Sequence, residues 1–231
     1  MFLPLHDENP LRVIPFQIVT GGLIVICVGV FLCQLTLSDG DVTRLQLNFG
    51  LVPALLLSST AGAAHTLSVM PAEVTIFTGL FLHGGWMHLL SNMAYLWVFG
   101  DNVEDAMGHV RFLAFYLLCG VVASMTHAAF NSGSFAPLIG ASGAVSGVLG
   151  AYVMLHPRVR ILVLAFNRLP LSIPAYLLLG AWLAYQIYAA LTDSTAGIAW
   201  WAHIGGFVAG AILVIPFKHR CVPLFDGDDA H

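Results

Sequence analysis

What this chain of 231 residues lacks most is charge: Asp, Glu, Lys and Arg make up 9% of it, against 58% apolar residues. A soluble domain is about a quarter charged, so this chain has too little polar surface to face water. It reads as an integral membrane protein in contact with a lipid bilayer. Eight Lys and Arg stand against 12 Asp and Glu, a net charge of −4, and they form no basic cluster. Nothing is there to neutralise phosphates, which excludes nucleic acid as a partner. Cysteine is scarce as well. Cys27, Cys33 and Cys119 fall in apolar runs and Cys221 lies near the C-terminus, at spacings that match neither a disulfide framework nor a zinc site. The segment Met1 to Arg12 contains Asp7 and Glu8 and has no basic stretch of the kind that opens a cleavable signal peptide. The first apolar segment is therefore expected to stay in place as an anchor.

What the chain has is long apolar runs. They predict spans over about 16–37, 86–100, 110–130, 142–156, 174–191 and 201–217, the longest of which can cross a hydrocarbon core of roughly 30 Å. The expected fold is thus an all-α integral membrane bundle of six transmembrane helices. Asp39, Gly40 and Asp41 close the first span, Asp101, Glu104 and Asp105 follow the second, and Asp193 and Ser194 close the fifth. Between the first two lies an outer loop, 38–85, whose apolar pieces Leu45 to Leu57 and Val74 to Leu82 are too short to cross and suit the interface. Arg12, Arg111, Arg158, Arg160, Arg168, Lys218 and Arg220 fall on one side of such a bundle and only Arg44 on the other. The positive-inside rule then puts both termini in the cytoplasm. This divides the chain into a tail (1–15), a membrane domain (16–217) and an acidic tail (218–231).

The fourth span is short. About fifteen residues from Ser142 to His156 rise roughly 22 Å, less than the roughly 30 Å core. With its far end held by Pro157, Arg158 and Arg160, Ser142 would lie below the outer membrane plane. Non-helical backbone at that depth has to line a water-filled cavity or be buried in protein. A wet cavity opening outward, with Ser142 near its floor, is the expectation.

Gly143 and Gly147 form a GxxxG pair in this span, and Gly206 and Gly210 form another in the sixth. Small residues at this spacing let two helices approach closely, bringing Ser142 toward His203. A serine needs an adjacent base to act as a nucleophile, and His203 heads its span in position to be that base and then the acid. His88 and Asn92 share one helix face and can both donate hydrogen bonds to a developing oxyanion. Singly, each of these residues is more simply read as a helix-packing contact; together they point to acyl transfer. Ser146 reads equally as a serine bonded back to its own helix. Trp86, Trp97, Trp200 and Trp201 fit an interfacial belt, with Trp200 and Trp201 also able to wall the cavity. His127 reads as a helix-end residue, His65, His109, His156 and His219 as solvated, and Glu104, Gly108 and Arg111 as organisers of a loop. Zinc is disfavoured because His83, His88 and His203 lack H-E-x-x-H spacing. Coupled transport is disfavoured because no ionisable acid sits mid-span.

Gly140-Ala141-Ser142-Gly143, Ala202-His203 with Gly205-Gly206, His83, His88 and Asn92, and the run Glu104 to Arg111 resemble, in order, the motifs of the rhomboid family of intramembrane serine proteases. The resemblance covers roughly Thr78 to Pro216. It implies a Ser142–His203 dyad without a third acidic member, and an oxyanion hole from His88, Asn92 and the Ser142 N–H. It further implies supporting roles for Gly140, Gly143 and His83, with no metal and no cofactor. Substrates would be single-span membrane proteins, cut near the outer face of what would be a bacterial cytoplasmic membrane and admitted between the second and fifth spans. The other reading is a rhomboid-like protein that binds membrane proteins without cutting them; such proteins lose the serine or the histidine, and this chain keeps both. Two positions depart from the family pattern: the 38–85 loop has no Trp-Arg pair, and Ser146 stands where many members stack an aromatic ring on the histidine. Trp200 and Trp201 are the candidates to hold His203 instead.

Overall fold

One helix with no polar face organises the structure. In the computed structural model, which describes residues 2–57, 69–165, 169–192 and 197–226, Ser142–Leu155 is a helix in which every residue from Gly143 to Tyr152 is buried. A helix apolar all round belongs at the centre of a bundle. In chain order the elements are strand β1 (Phe2–Asp7), α1 (Ile18–Gln34), α2 (Asp39–Phe49), α3 (Pro53–Leu57), α4 (Ala72–Thr78) with a 3-10 turn (Gly79–Phe81), α5 (Trp86–Met107), α6 (His109–Phe130), α7 (Ser142–Leu155), strands β2 (Arg160–Ala165) and β3 (Leu169–Pro174), α8 (Ala175–Thr192) and α9 (Trp200–Phe217). The fold is mostly helical.

α7 and α9 meet backbone to backbone. A Cβ on Gly206 would overlap the Gly143 carbonyl oxygen, one on Gly210 the Gly147 carbonyl oxygen, and one on Gly150 the Phe207 carbonyl oxygen. On its other flank, Gly143 leaves room for Ala123 and Gly147 for Cys119, both on α6. The paired small-residue repeats therefore serve the close helix approach that their spacing predicts. Around this seam Leu96, Phe99, Phe112, Phe115, Tyr116, Leu149 and Tyr152 form the core.

Among the described residues three helices, α6, α8 and α9, are long and apolar enough to cross a membrane; α1 and α7 are apolar but shorter. α5 has 22 residues and does not stop at Asp101 as expected, because its acids are satisfied by protein. Glu104, fully buried, accepts from the backbone N–H of Val19 (2.9 Å) and Thr20 (2.8 Å) and is bonded to His109 Nδ1 (2.5 Å). Val19 and Thr20 sit in the first turn of α1, whose own N-cap residue Gln17 makes no side-chain cap. A carboxylate from another helix thus caps α1, where unsatisfied amides and the helix dipole favour an anion. Asp105 likewise accepts from the N–H of Arg12, Val13 and Ile14. The partners of Glu104 are accordingly α1 and His109, not Arg111. Glu104→Ala orphans the buried Thr20 amide and the half-buried Val19 amide, so it should cost about 3 kcal/mol, read as a melting temperature in detergent lower by roughly 6–12 °C. Gly108 turns the chain from α5 into α6 at φ +77°, a left-handed conformation that favours glycine.

The all-helical expectation misses a small antiparallel sheet of order β1-β2-β3. Residues taken for an N-terminal tail form β1, and the segment after α7 folds into the hairpin β2–β3, paired from Arg160↔Pro174 to Ala165↔Leu169. β1 pairs with β2 from Phe2↔Ala165 to Asp7↔Ile161. Ile161 and Val163 are buried while Leu162 is exposed, the alternation of a half-buried strand. Asp7, at the end of β1, accepts from Tyr152 Oη (2.6 Å) and Asn102 Nδ2 (2.9 Å). Burial pushes its carboxyl above the ordinary value, and the Tyr152 hydroxyl opposes that rise.

The C-terminal segment returns to the same end. Phe225 and Asp226 donate to the carbonyls of Met154 and Leu155, satisfying orphan acceptors at the end of α7. Asp226 also bonds His156 Nδ1 at 2.7 Å and lies 3.9 Å from Arg12. His109 and His156, expected to be solvated, are each paired with a carboxylate. Asp39 and Asp41, expected to close the first span, instead open α2, whose N-cap Ser38 accepts from Asp41 N–H. His65, Arg168, Asp193, Ser194 and the tail beyond Asp226 lie outside the described residues, as do parts of the 38–85 and 192–200 loops.

Candidate active site

The first turns of α5, α7 and α9, the last turn of α6 and one side of α8 border a cavity that extends along α8 to Ile173 of β3. It has a volume of about 1970 Å³ and is lined by Ser142, His203, His88 and Asn92 among others. Every residue expected to take part in the chemistry therefore borders the same space.

Ser142 is the first residue of α7. The helix's hydrogen-bond ladder starts only with Val145 N–H to the Ala141 carbonyl, 2.9 Å, so the N–H groups of Ser142, Gly143 and Ala144 have no partner within the helix. Gly140 brings the chain into this turn at φ +113°, and a Cβ there would collide with the His88 ring. Glycine is thus required at Gly140 both for its conformation and for its space. Gly143, one residue past the serine, allows the contact with Ala123 described above.

His203 lies in the first turn of α9. Its Nε2 is 2.9 Å from Ser142 Oγ, and its Nδ1 is 2.7 Å from Gln186 Oε1. The close α7–α9 seam sets the first distance, because Gly206, one turn after His203 on α9, contacts the backbone of Gly143. Two tryptophans flank the imidazole: Trp182 with ring centroids 5.9 Å apart, and Trp200 edge-on at 6.4 Å. Of the two candidate supports, Trp200 is in place. Trp201 instead stacks on Phe130 at 3.7 Å. Ser146, at the position of the missing aromatic, donates to the Ser142 carbonyl at 2.6 Å, the back-bonded arrangement.

His88 Nδ1 accepts from the Gly84 N–H at 3.3 Å, which leaves the proton on Nε2 as a donor. His83 is buried behind it, with rings edge-to-face at 5.2 Å. Its backbone is held by Gln34 through two bonds, Nε2 to the His83 carbonyl (3.1 Å) and His83 N–H to Oε1 (3.2 Å). Asn92 Nδ2 donates to the His88 carbonyl at 2.9 Å, so its amide is turned toward its own helix in this state. Among the described residues no group of three or more His, Cys, Asp or Glu could hold a metal ion.

Three residues at the cavity escape the sequence reading. His127 lines it together with Asn131, rather than merely ending α6. Gln186 and Trp182 come from α8. The sequence marks Gln186 only as an amide in the middle of an apolar span, costly without a partner, and does not say which residue that partner is.

Comparison with known proteins identifies the family. The profile of the Rhomboid domain matches residues 71–220. The chain is 28% identical over 150 residues to the mitochondrial Rhomboid protein 1 of Saccharomyces cerevisiae, which covers 61% of this chain and 41% of that protein. It is 30% identical over 145 residues to RHOMBOID-like protein 1 of Arabidopsis thaliana, covering 63% and 34%. Against Rhomboid protease GluP of Bacillus subtilis it is 30% identical over 174 residues, covering 74% and 32%. The chain thus spans less than half the length of these relatives. With the profile matched over residues 71–220, well over half of its length, the chain belongs to the Rhomboid domain family of integral membrane proteins.

Proposed function

We propose that this protein is an intramembrane serine endopeptidase, and the observation that carries this reading is the 2.9 Å contact between Ser142 Oγ and His203 Nε2 at the floor of a cavity. Ser142 Oγ attacks the scissile carbonyl while Nε2 takes its proton; the resulting imidazolium then protonates the leaving amine. The negative oxygen is received by the Ser142 N–H and His88 Nε2–H, and by Asn92 once its amide turns from the His88 carbonyl into the cavity. Water in the cavity hydrolyses the acyl-enzyme through the same base. No step calls for a metal or cofactor.

The substrate is a single-span membrane protein. Its helix enters from the bilayer between α5 and α8, a reading supported by the cavity wall, which includes Trp86 and Met87 from α5 and Leu177 and Tyr185 from α8. A chain carbonyl within a helix is already hydrogen-bonded, so the substrate has to unwind locally before Ser142 can reach it.

Six spans, α1 and α5 to α9, make up the membrane domain of residues 16–217. Arg12, Arg158, Arg160, Lys218 and Arg220 mark the sheet end as cytoplasmic, with residues 1–15 and 218–231 on that side. The cavity then opens to the extracytoplasmic face of a bacterial cytoplasmic membrane.

The test is incubation of the reconstituted protein with single-span substrates and a serine-directed fluorophosphonate. Labelling of Ser142 together with cleavage that survives chelators is expected. Substrate that co-purifies uncut, with no labelling of Ser142, would instead establish a binding protein without catalysis.

A further inference from the structure

Among the described residues the Ser142–His203 pair has no acidic third member, yet the far side of the imidazole is not left to solvent. Gln186 Oε1 stands 2.7 Å from His203 Nδ1. The side chain is buried, with Gln186 only 4% exposed. Trp182 lies one turn earlier on the same face of α8 and contacts the same ring. A neutral imidazole carries its proton on one nitrogen, and the hydrogen bond at one nitrogen decides the state of the other. An acceptor at Nδ1 keeps the proton there, leaving the Nε2 lone pair facing the Ser142 hydroxyl. The opposite tautomer would present an N–H to Ser142 Oγ and could not accept its proton.

Given the proteolytic reading above, we propose that Gln186 is the positioning residue of this site, an uncharged third member that fixes His203 in the tautomer required of a general base. An amide does this without placing a carboxylate at membrane depth, where charge is expensive. It also comes from a different helix than the dyad. α8 is the most lightly embedded of the three long apolar helices, 28% buried against 44% for α6. The base is therefore complete only while α8 is seated against α9.

The experiment uses the full chain in micelles with ¹⁵N-labelled histidine, and His203→Ala identifies the His203 signals. Wild type should show Nδ1 protonated and Nε2 bare. Gln186→Met keeps the length and packing but removes the acceptor; it should mix the tautomers. The same variant should slow fluorophosphonate labelling of Ser142 and kcat by about 10–100-fold with KM little changed. Gln186→Glu restores an acceptor and should recover most of that rate. Its carboxylate stabilises the imidazolium, so the acid limb of the kcat/KM profile should move to higher pH by about one unit. The titratable groups facing the pair are His88 and Tyr95 on α5, His127 on α6 and Tyr185 on α8. None of these is altered in the comparison.

A wild-type His203 protonated at Nε2, or a Gln186→Met variant with unchanged tautomer and rate, overturns the proposal. If wild type neither cleaves nor labels, the proteolytic reading fails, and the tautomer measurement still decides whether Gln186 orients His203.

Discussion

His203→Ala is expected to reduce turnover of a membrane-helix substrate by on the order of 10⁴-fold or more, and adding Ser142→Ala should cost almost nothing further. In the proposed mechanism the two groups act as one unit: without the base the hydroxyl stays protonated, and without the hydroxyl the base has no proton to take. Three measurements of kcat, on each single variant and on the double, check this. Equal losses support the dyad, whereas losses that multiply would show two independent contributions. The fold should survive, since the His203 side chain borders the cavity and, among the described residues, its ring contacts Ser142, Gln186, Trp182 and Trp200. A melting temperature close to wild type is the control.

Gly206→Ala should do comparable damage by a different route. A single methyl there would occupy the place of the Gly143 carbonyl oxygen, and no side chain is available to swing aside. Overpacking of this kind costs about 1–3 kcal/mol or more, because both neighbours are backbone. The helices have to part, and the displacement falls one turn from His203 and one residue from Ser142. A misplacement of about 1 Å can cost roughly 10²-fold in rate. The variant should therefore lose both stability and kcat, unlike His203→Ala. Thermal melting and turnover measured on the same preparation separate the two cases. A Gly206→Ala protein with wild-type rate and stability would mean that α7 and α9 do not meet as closely as described.

How far the sequence could be read depended on the range of the interactions involved. The helices α6, α7, α8 and α9 fall within a residue or two of the expected spans, because apolar runs and their Gly, Pro and Asp boundaries act locally. The α7–α9 seam was legible for the same reason: each glycine repeat lies within a single helix. What escaped depends on partners far away along the chain. α5 runs through Asp101, Glu104 and Asp105 because amides near residues 12–20 satisfy two of these acids. His156 pairs with Asp226, 70 residues on, and β1 needs β2 as its partner. Neither strand shows enough alternation by itself to stand out from an apolar chain. Gln186 escaped for another reason: its role depends on which face of α8 meets α9, which a span that is apolar all round does not disclose.

The sheet also bears on the order in which the molecule can be assembled. β1 precedes every membrane helix in the chain, yet its partner strand among the described residues begins at Arg160. Most of the membrane helices are made before that partner exists. Pairing over such a separation is slow in an intact chain, and here it is further delayed by the pace of translation. Residues 2–7 are consequently made ahead of the membrane helices but are among the last to be fixed. Until then their unpaired N–H and C=O groups present an open strand edge, which is where a chaperone or a stray β-segment could act on the nascent protein.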